Sequence, residues 1–178
     1  MPPEPFLGTT EHTPVQHHIL SVLVENKAGV LSRVAGLFSR RGFNIYSLAV
    51  APTDDNERFS RITIVVDAES APLSQVVGQL NKLLNVVEIR DLATHQAVER
   101  ELLLATVKAN ESERSELLRL VADAGAAIID FSHDAVTISL SGTPEALDTF
   151  EHLVAEEYRN IEVQRTGRVA LPRLDHSA

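Results

Sequence analysis

The chain contains no cysteine and no tryptophan, and only 4% of its residues are aromatic. The lack of cysteine removes disulfides, thiolate metal sites, iron–sulfur ligands and thiol nucleophiles together. Basic residues are also scarce: 16 Lys and Arg stand against 25 Asp and Glu, for a net charge of -9. That balance argues against nucleic acid or an anionic membrane surface as partner. No apolar run approaches the roughly 20 residues of a membrane helix, and the acidic, Pro-rich N-terminus is unlike a signal peptide. The cytoplasm is the expected location. What remains is the composition of an ordinary globular protein, with 178 residues, 44% hydrophobic and 23% charged. One domain or two small ones fit that length. A domain of about 75 residues buries a modest share of its surface, so pairing is expected to add stability.

Residues 1–16 carry Pro2, Pro3, Pro5 and Pro14 with no apolar periodicity, and a disordered tail is expected there. Ile19 to Glu25 reads as a buried strand. Leu31, Val34, Ala35 and Phe38 then repeat at helical spacing, with Arg40 and Arg41 at the negative end of the helix and Gly42 as its stop. Asn44 to Ala51 reads as a second strand, Pro52 to Asn56 as a turn and Arg58 to Val66 as a third strand. Pro72 suits a first helical turn, and Leu73, Val76, Val77, Leu80, Leu83 and Leu84 keep helical spacing. Val86 to Asp91 closes a βαββαβ unit.

The same order returns after a connection over residues 93–98. Glu101 to Ala109 reads as a strand, Ser112 to Ala124 as a helix ended by Gly125, and Ala127 to Ser132 and Val136 to Leu140 as two strands. Thr143 is the expected N-cap of the next helix, with Pro144 at its first position and Leu147, Phe150 and Val154 inward. Ile161 to Arg165 is the last strand. The expectation is an α+β chain of two tandem ferredoxin-like βαββαβ domains. A first domain over 17–94 and a second over 95–170 would be followed by a frayed tail over 171–178.

The best candidate site is the first strand-to-helix turn, Asn26-Lys27-Ala28-Gly29-Val30-Leu31. A helix opens there with unpaired backbone N–H groups and a positive dipole end, a natural seat for a carboxylate. Gly29 allows close approach and a positive φ. Asn26 offers a donor and an acceptor, and Val30 and Leu31 offer apolar surface. A charged head with a short aliphatic tail would be satisfied, which describes an amino acid. Taken alone, such a loop is also an ordinary turn. Asn44, before Ile45 at the start of the next strand, is the second feature, because Asn is depleted in strands and needs a turn role or a ligand there.

The run from Ile19 to Val34, with Glu25-Asn26 and Ala28-Gly29-Val30-Leu31-Ser32-Arg33-Val34, resembles the ACT-domain opening of acetolactate synthase small subunits. Gly36-Leu37-Phe38-Ser39-Arg40-Arg41-Gly42-Phe43-Asn44-Ile45, Ser47-Leu48, Ser60-Arg61-Ile62-Thr63-Ile64 and Gln79-Leu80-Asn81-Lys82-Leu83 extend the likeness. In the second half it is carried by Val98-Glu99-Arg100-Glu101-Leu102, Ile128-Ile129-Asp130, Ser141-Gly142-Thr143-Pro144 and the segment from Arg165 to Leu171. The resemblance implies a regulatory subunit, not an enzyme, which activates a thiamin-diphosphate-dependent catalytic subunit and confers feedback inhibition by valine or another branched-chain amino acid. It implies a homodimer through the ACT domains, with the catalytic large subunit as second partner. No cofactor is expected in this chain; thiamin diphosphate, Mg and FAD would belong to the catalytic subunit. Asn26, Ala28, Gly29, Val30 and Leu31 of one protomer would hold the effector together with Asn44 and Ile45 of the other. Tyr46 departs from the acidic residue usual after that Asn-Ile pair. A stand-alone ACT sensor with another target is the alternative.

Other features carry less. His17 and His18 are adjacent and would point to opposite faces of a strand, so they do not chelate one ion together. Ser132-His133-Asp134 holds the letters of a triad, but consecutive residues cannot form one, and a turn is expected. An RNA-binding module would need stacking aromatics and a basic face. A phosphatase on the same fold would need an Arg-bearing loop after the first strand, and this loop has Lys27 and no Arg before the helix.

Overall fold

The computed structural model describes residues 17–53, 55–67, 73–93, 96–158 and 161–174. The expected N-terminal tail, Pro72 and the expected domain boundary at 94 and 95 lie outside the described residues, as do 175–178.

The first unit runs β1 (His17–Glu25), α1 (Val30–Arg40), β2 (Ile45–Pro52), β3 (Phe59–Asp67), α2 (Leu73–Leu80) and β4 (Val86–Leu92). Its four strands are antiparallel neighbours in the order β2-β3-β1-β4, which leaves β2 at an edge. Strand alternation sends Leu20, Val22 and Val24 with Ile62, Ile64 and Val66 to one face. There they meet Val30, Val34 and Phe38 of α1 and Val76 and Leu80 of α2 in one buried cluster. Helix α1 ends as its residues indicate. Arg40 lies in its last turn, and Gly42 follows at a φ of 73°, which an L side chain resists.

Helix α2 is shorter than its apolar spacing suggests. Lys82 N–H bonds Gln79 O and Leu83 N–H bonds Leu80 O, so the chain tightens into turns after Leu80. Leu84, expected on the buried stripe, is 99% exposed. The turn is imposed from outside the helix: Asn85 O must reach the N–H of Glu25 at the end of β1.

The second unit runs β5 (Ala97–Lys108), α3 (Glu111–Asp123), β6 (Ala127–Phe131), β7 (Ala135–Gly142), α4 (Pro144–Glu157), β8 (Ile161–Arg165) and β9 (Val169–Pro172). Four strands lie in the order β6-β7-β5-β8 over a core built from Leu103, Leu117, Ile138, Leu147 and Phe150. Thr143 caps α4, its Oγ1 accepting from Ala146 N–H with Pro144 in the first turn. Asn110 caps α3 in a reciprocal box with Glu113 that the sequence reading did not anticipate. Ser132, His133 and Asp134 form a turn, in which the Ser132 hydroxyl bonds Asp134.

Two expectations are corrected here. The connection over 93–98 is partly strand, because β5 begins at Ala97, and the expected frayed tail is paired at its start, since Leu171 and Pro172 belong to β9. Ala97 to Arg100 of β5 and Val169 to Pro172 of β9 form an antiparallel ribbon. This ribbon lies over the face of the first sheet that the helices leave open. Ile19 and Val65 of that face are fully buried beneath Ala97 and Ala170 of the ribbon and Leu92 of β4. Hydrophobic burial, not strand propensity, holds the last residues in place.

Candidate functional site

The loop between β1 and α1 is built on Asn26 and Gly29. Asn26 Nδ2 donates to Glu57 O at 2.9 Å across the top of the sheet. Gly29 holds a φ of 80° as the N-cap residue, and no side chain caps α1. Val30 N–H returns to Lys27 O and Arg33 N–H to Gly29 O. The N–H groups of Gly29, Leu31 and Ser32 have no acceptor among the described hydrogen bonds. Three donors at the positive end of a helix therefore face outward, the chemistry expected of a carboxylate seat. Beneath the loop, Asn85 donates to Glu25, Arg33 donates to Asn85 Oδ1 at 3.0 Å, and Lys27 Nζ stands 3.0 Å from Glu25 Oε2. The Asn85 hydrogen bond and then Lys27 hold the Glu25 carboxyl below its usual range.

Of the two apolar side chains expected to line the site, only one is available. Val30 is 3% exposed, because its side chain is the first core residue of α1, whereas Leu31 is 41% exposed. Asn44 is exposed and Ile45 half-buried at the start of β2. Asn44 Nδ2 donates to Asp67 Oδ2 at 3.2 Å.

Within one chain these two groups do not meet. Asn26 sits where Glu25 pairs with Phe59, and Asn44 sits where His17 pairs with Asp67. Eight residues of strand separate the two ends, about 25 Å at roughly 3.3 Å per residue. A cleft of about 830 Å³ does exist between the ribbon and the β2 side of the first sheet, lined by Ala49, Ala51, Thr63, Val98 and Leu171 among others. None of the expected effector residues lines it. Among the described residues no group of three His, Asp or Glu side chains could hold a metal, and no helix is long and apolar enough to cross a membrane.

Two features lay beyond the sequence reading. Asp67 engages both Asn44 and His17, whose Nδ1 is 3.3 Å from Asp67 Oδ1. The other is a dock of the second unit onto β2. Arg168 N–H donates to Ser47 Oγ at 2.8 Å, and the Arg168 guanidinium lies 4.9 Å from the centre of the Tyr46 ring and 3.6 Å from Glu99. No local motif signals either contact, since both depend on strand register between distant segments.

The family model described as an AHAS small subunit-like ACT domain matches residues 20–88, and the model for the small subunit of acetolactate synthase matches residues 100–174. The chain is 46% identical over 156 residues to the acetolactate synthase small subunit of Mycolicibacterium smegmatis, covering 88% of this chain and 91% of that one. The chain belongs to the acetolactate synthase small-subunit family. The small subunit of Haemophilus influenzae is 44% identical over 87% of this chain and 94% of its own length. The crystal structure of the Thermotoga maritima small subunit superposes with a TM-score of 0.81 at 33% identity, covering 90% of this chain and 99% of that chain. Small subunits are the regulatory and not the catalytic chains of acetolactate synthase, so this chain is a regulatory subunit built from an ACT domain and a second ferredoxin-like unit. Its membership places it beside a catalytic subunit in branched-chain amino-acid biosynthesis.

Proposed function

We propose that two copies of this regulatory subunit pair through their β2 edges and bind a branched-chain amino acid, valine foremost, at two sites shared between them. Bound effector then lowers the activity that the subunit otherwise raises in its thiamin-diphosphate-dependent catalytic partner. One observation carries the reading: the two halves of the candidate site lie at opposite ends of the first sheet, Asn44 and Ile45 at the start of the edge strand β2 and the Asn26–Leu31 loop at the end of the central strand β1. A two-fold axis through the middle of β2 pairs that strand antiparallel with its copy. The Asn26–Leu31 loop of one protomer then comes beside Asn44 and Ile45 of the other, twice over. The loop N–H groups would take the carboxylate, the Asn44 amide the ammonium, and Leu31 with Ile45 a short branched side chain. Pairing also satisfies an edge strand that would otherwise expose its backbone groups.

A ligand shared by two chains shifts the complex only as far as it prefers one arrangement. A tenfold preference for the inhibited state supplies about 1.4 kcal/mol of coupling. The test is reconstitution with the cognate catalytic subunit and titration of valine, leucine and isoleucine. Inhibition that depends on this chain is expected, and Asn44→Ala should weaken effector binding by about tenfold with the fold intact. Wild-type effector affinity in Asn44→Ala would remove Asn44 from the site. A reconstituted enzyme indifferent to all three amino acids would overturn the reading.

A further inference from the structure

Which end of the Asn44 amide faces outward is decided by Asp67. The carboxylate of Asp67 only accepts hydrogen bonds, so the amide NH2 must be the end that faces it across 3.2 Å. The carbonyl Oδ1 is then directed to the other side. Asp67 is itself held on a rigid frame. It is the last residue of β3, paired in register with His17, the first residue of β1. Its second carboxylate oxygen is 3.3 Å from His17 Nδ1. The His17 ring in turn stacks against Tyr46 with ring centres 4.4 Å apart, two residues along from Asn44. Three strands thus meet at the Asp67 carboxylate, and the side chain is only 26% exposed.

We propose that Asp67 is a positioning residue that makes the effector site select a protonated amine, an inference that rests on the reading of Asn44 as an effector contact. Asp67 locks the Asn44 amide with its carbonyl oxygen outward, and it places a negative charge directly behind that amide. An unlocked Asn44 would present its NH2 end as readily as its oxygen, and an NH2 group cannot accept from an ammonium. Locked, the oxygen accepts a charge-assisted hydrogen bond from the –NH3⁺ of an α-amino acid. The site would then discriminate an amino acid from the carboxylic acid of the same shape that lacks the amine. The carboxylate seat at the α1 N-terminus cannot make that distinction, because both ligands carry the same carboxylate.

The experiment compares valine with 3-methylbutanoate, its des-amino counterpart, by calorimetry on the full-length chain and by inhibition of the reconstituted enzyme. Wild type, Asp67→Leu, Asp67→Asn and Asn44→Ala are measured side by side. Asp67→Leu removes the acceptor and the charge, and its valine affinity should fall by about tenfold or more while 3-methylbutanoate changes less than about twofold. Asp67→Asn keeps an acceptor for the Asn44 amide and loses the charge, so its preference for valine should fall by a smaller factor. It also serves if the leucine variant does not fold. A merely structural role would weaken both ligands in proportion, and an unchanged ratio in the soluble variants overturns the proposal. If Asn44→Ala loses valine while the Asp67 variants keep the wild-type ratio, the site stands and Asp67 has no part in selecting the amine. If the wild-type chain binds no valine, the site falls, and this inference with it.

Discussion

Gly167→Ala should loosen the second unit from β2 without touching the core of either unit. Gly167 holds a φ of 82°, and a Cβ there would stand 3.0 Å from Ser47 Oγ, 3.1 Å from Leu48 O and 3.3 Å from the Leu48 carbonyl carbon. The left-handed conformation alone costs an L residue about 1 kcal/mol. Two of the three atoms in the way are strand backbone, which cannot swing aside, so the loop must lift. Lifting it strains the Arg168 N–H bond to Ser47 Oγ and the Gly167 N–H bond to Glu101 Oε1, each worth about 1 kcal/mol net. The expected loss is about 3 kcal/mol. Gly125→Ala is the control, with a φ of 66° and no atom within 4 Å of its Cβ, and it should cost about 1 kcal/mol. Urea unfolding of the two variants isolates the difference. Amide exchange over residues 45–48 and 166–172 shows whether the loss is local to the dock. The reasoning fails if Gly167→Ala lies within about 0.5 kcal/mol of Gly125→Ala, or if exchange at those segments stays at the wild-type rate.

Val50→Lys puts a charge on the edge strand β2, where Val50 is 44% exposed and would face the β2 strand of the second copy on pairing. Dimer content by sedimentation and effector affinity should fall together, and a monomer that still binds valine would exclude a site shared between chains. Glu99→Gln should change the pH dependence of stability. Burial pushes the Glu99 carboxyl up, with Arg168 opposing and Glu145 adding to the shift. The native state therefore keeps that proton where the unfolded chain has released it, and stability falls as pH rises through the window above the ordinary carboxylate value. Thermal unfolding across that window should move in favour of the glutamine variant as pH rises. A constant gap between variant and wild type would contradict the assignment.

Much of this fold is legible in the residues, because periodicity and punctuation agree with it. Val34 and Phe38 mark the inward face of α1, Gly42 and Gly125 follow two helices at positive φ, and Thr143-Pro144 opens a third. The misses share a cause. Strand β9 has four residues and ends on Pro172, too short for any alternation to register, and it exists because the open face of the first sheet needs cover. Leu84 keeps helical spacing but lies where the backbone must turn to pair Asn85 with Glu25. The loop and asparagine residues of the candidate site stand out locally. The distance between them does not, since it follows from strand direction. Asp67 gave no local signal, because its contact with Asn44 spans 23 residues and depends on the β1–β3 register.

The sealed face of the first sheet decides where this chain can be divided. Ile19 and Val65 are completely shielded by Leu92, Ala97 and Ala170, the last of which arrives from more than a hundred residues downstream, and Ser21 and Thr63 on the same face are nearly buried too. A fragment stopped before Ala97 would show water a greasy patch it never shows in the whole molecule. Anyone transplanting the sensor into another protein would have to bring the ribbon with it, or repaint Ile19 and Val65 with polar side chains.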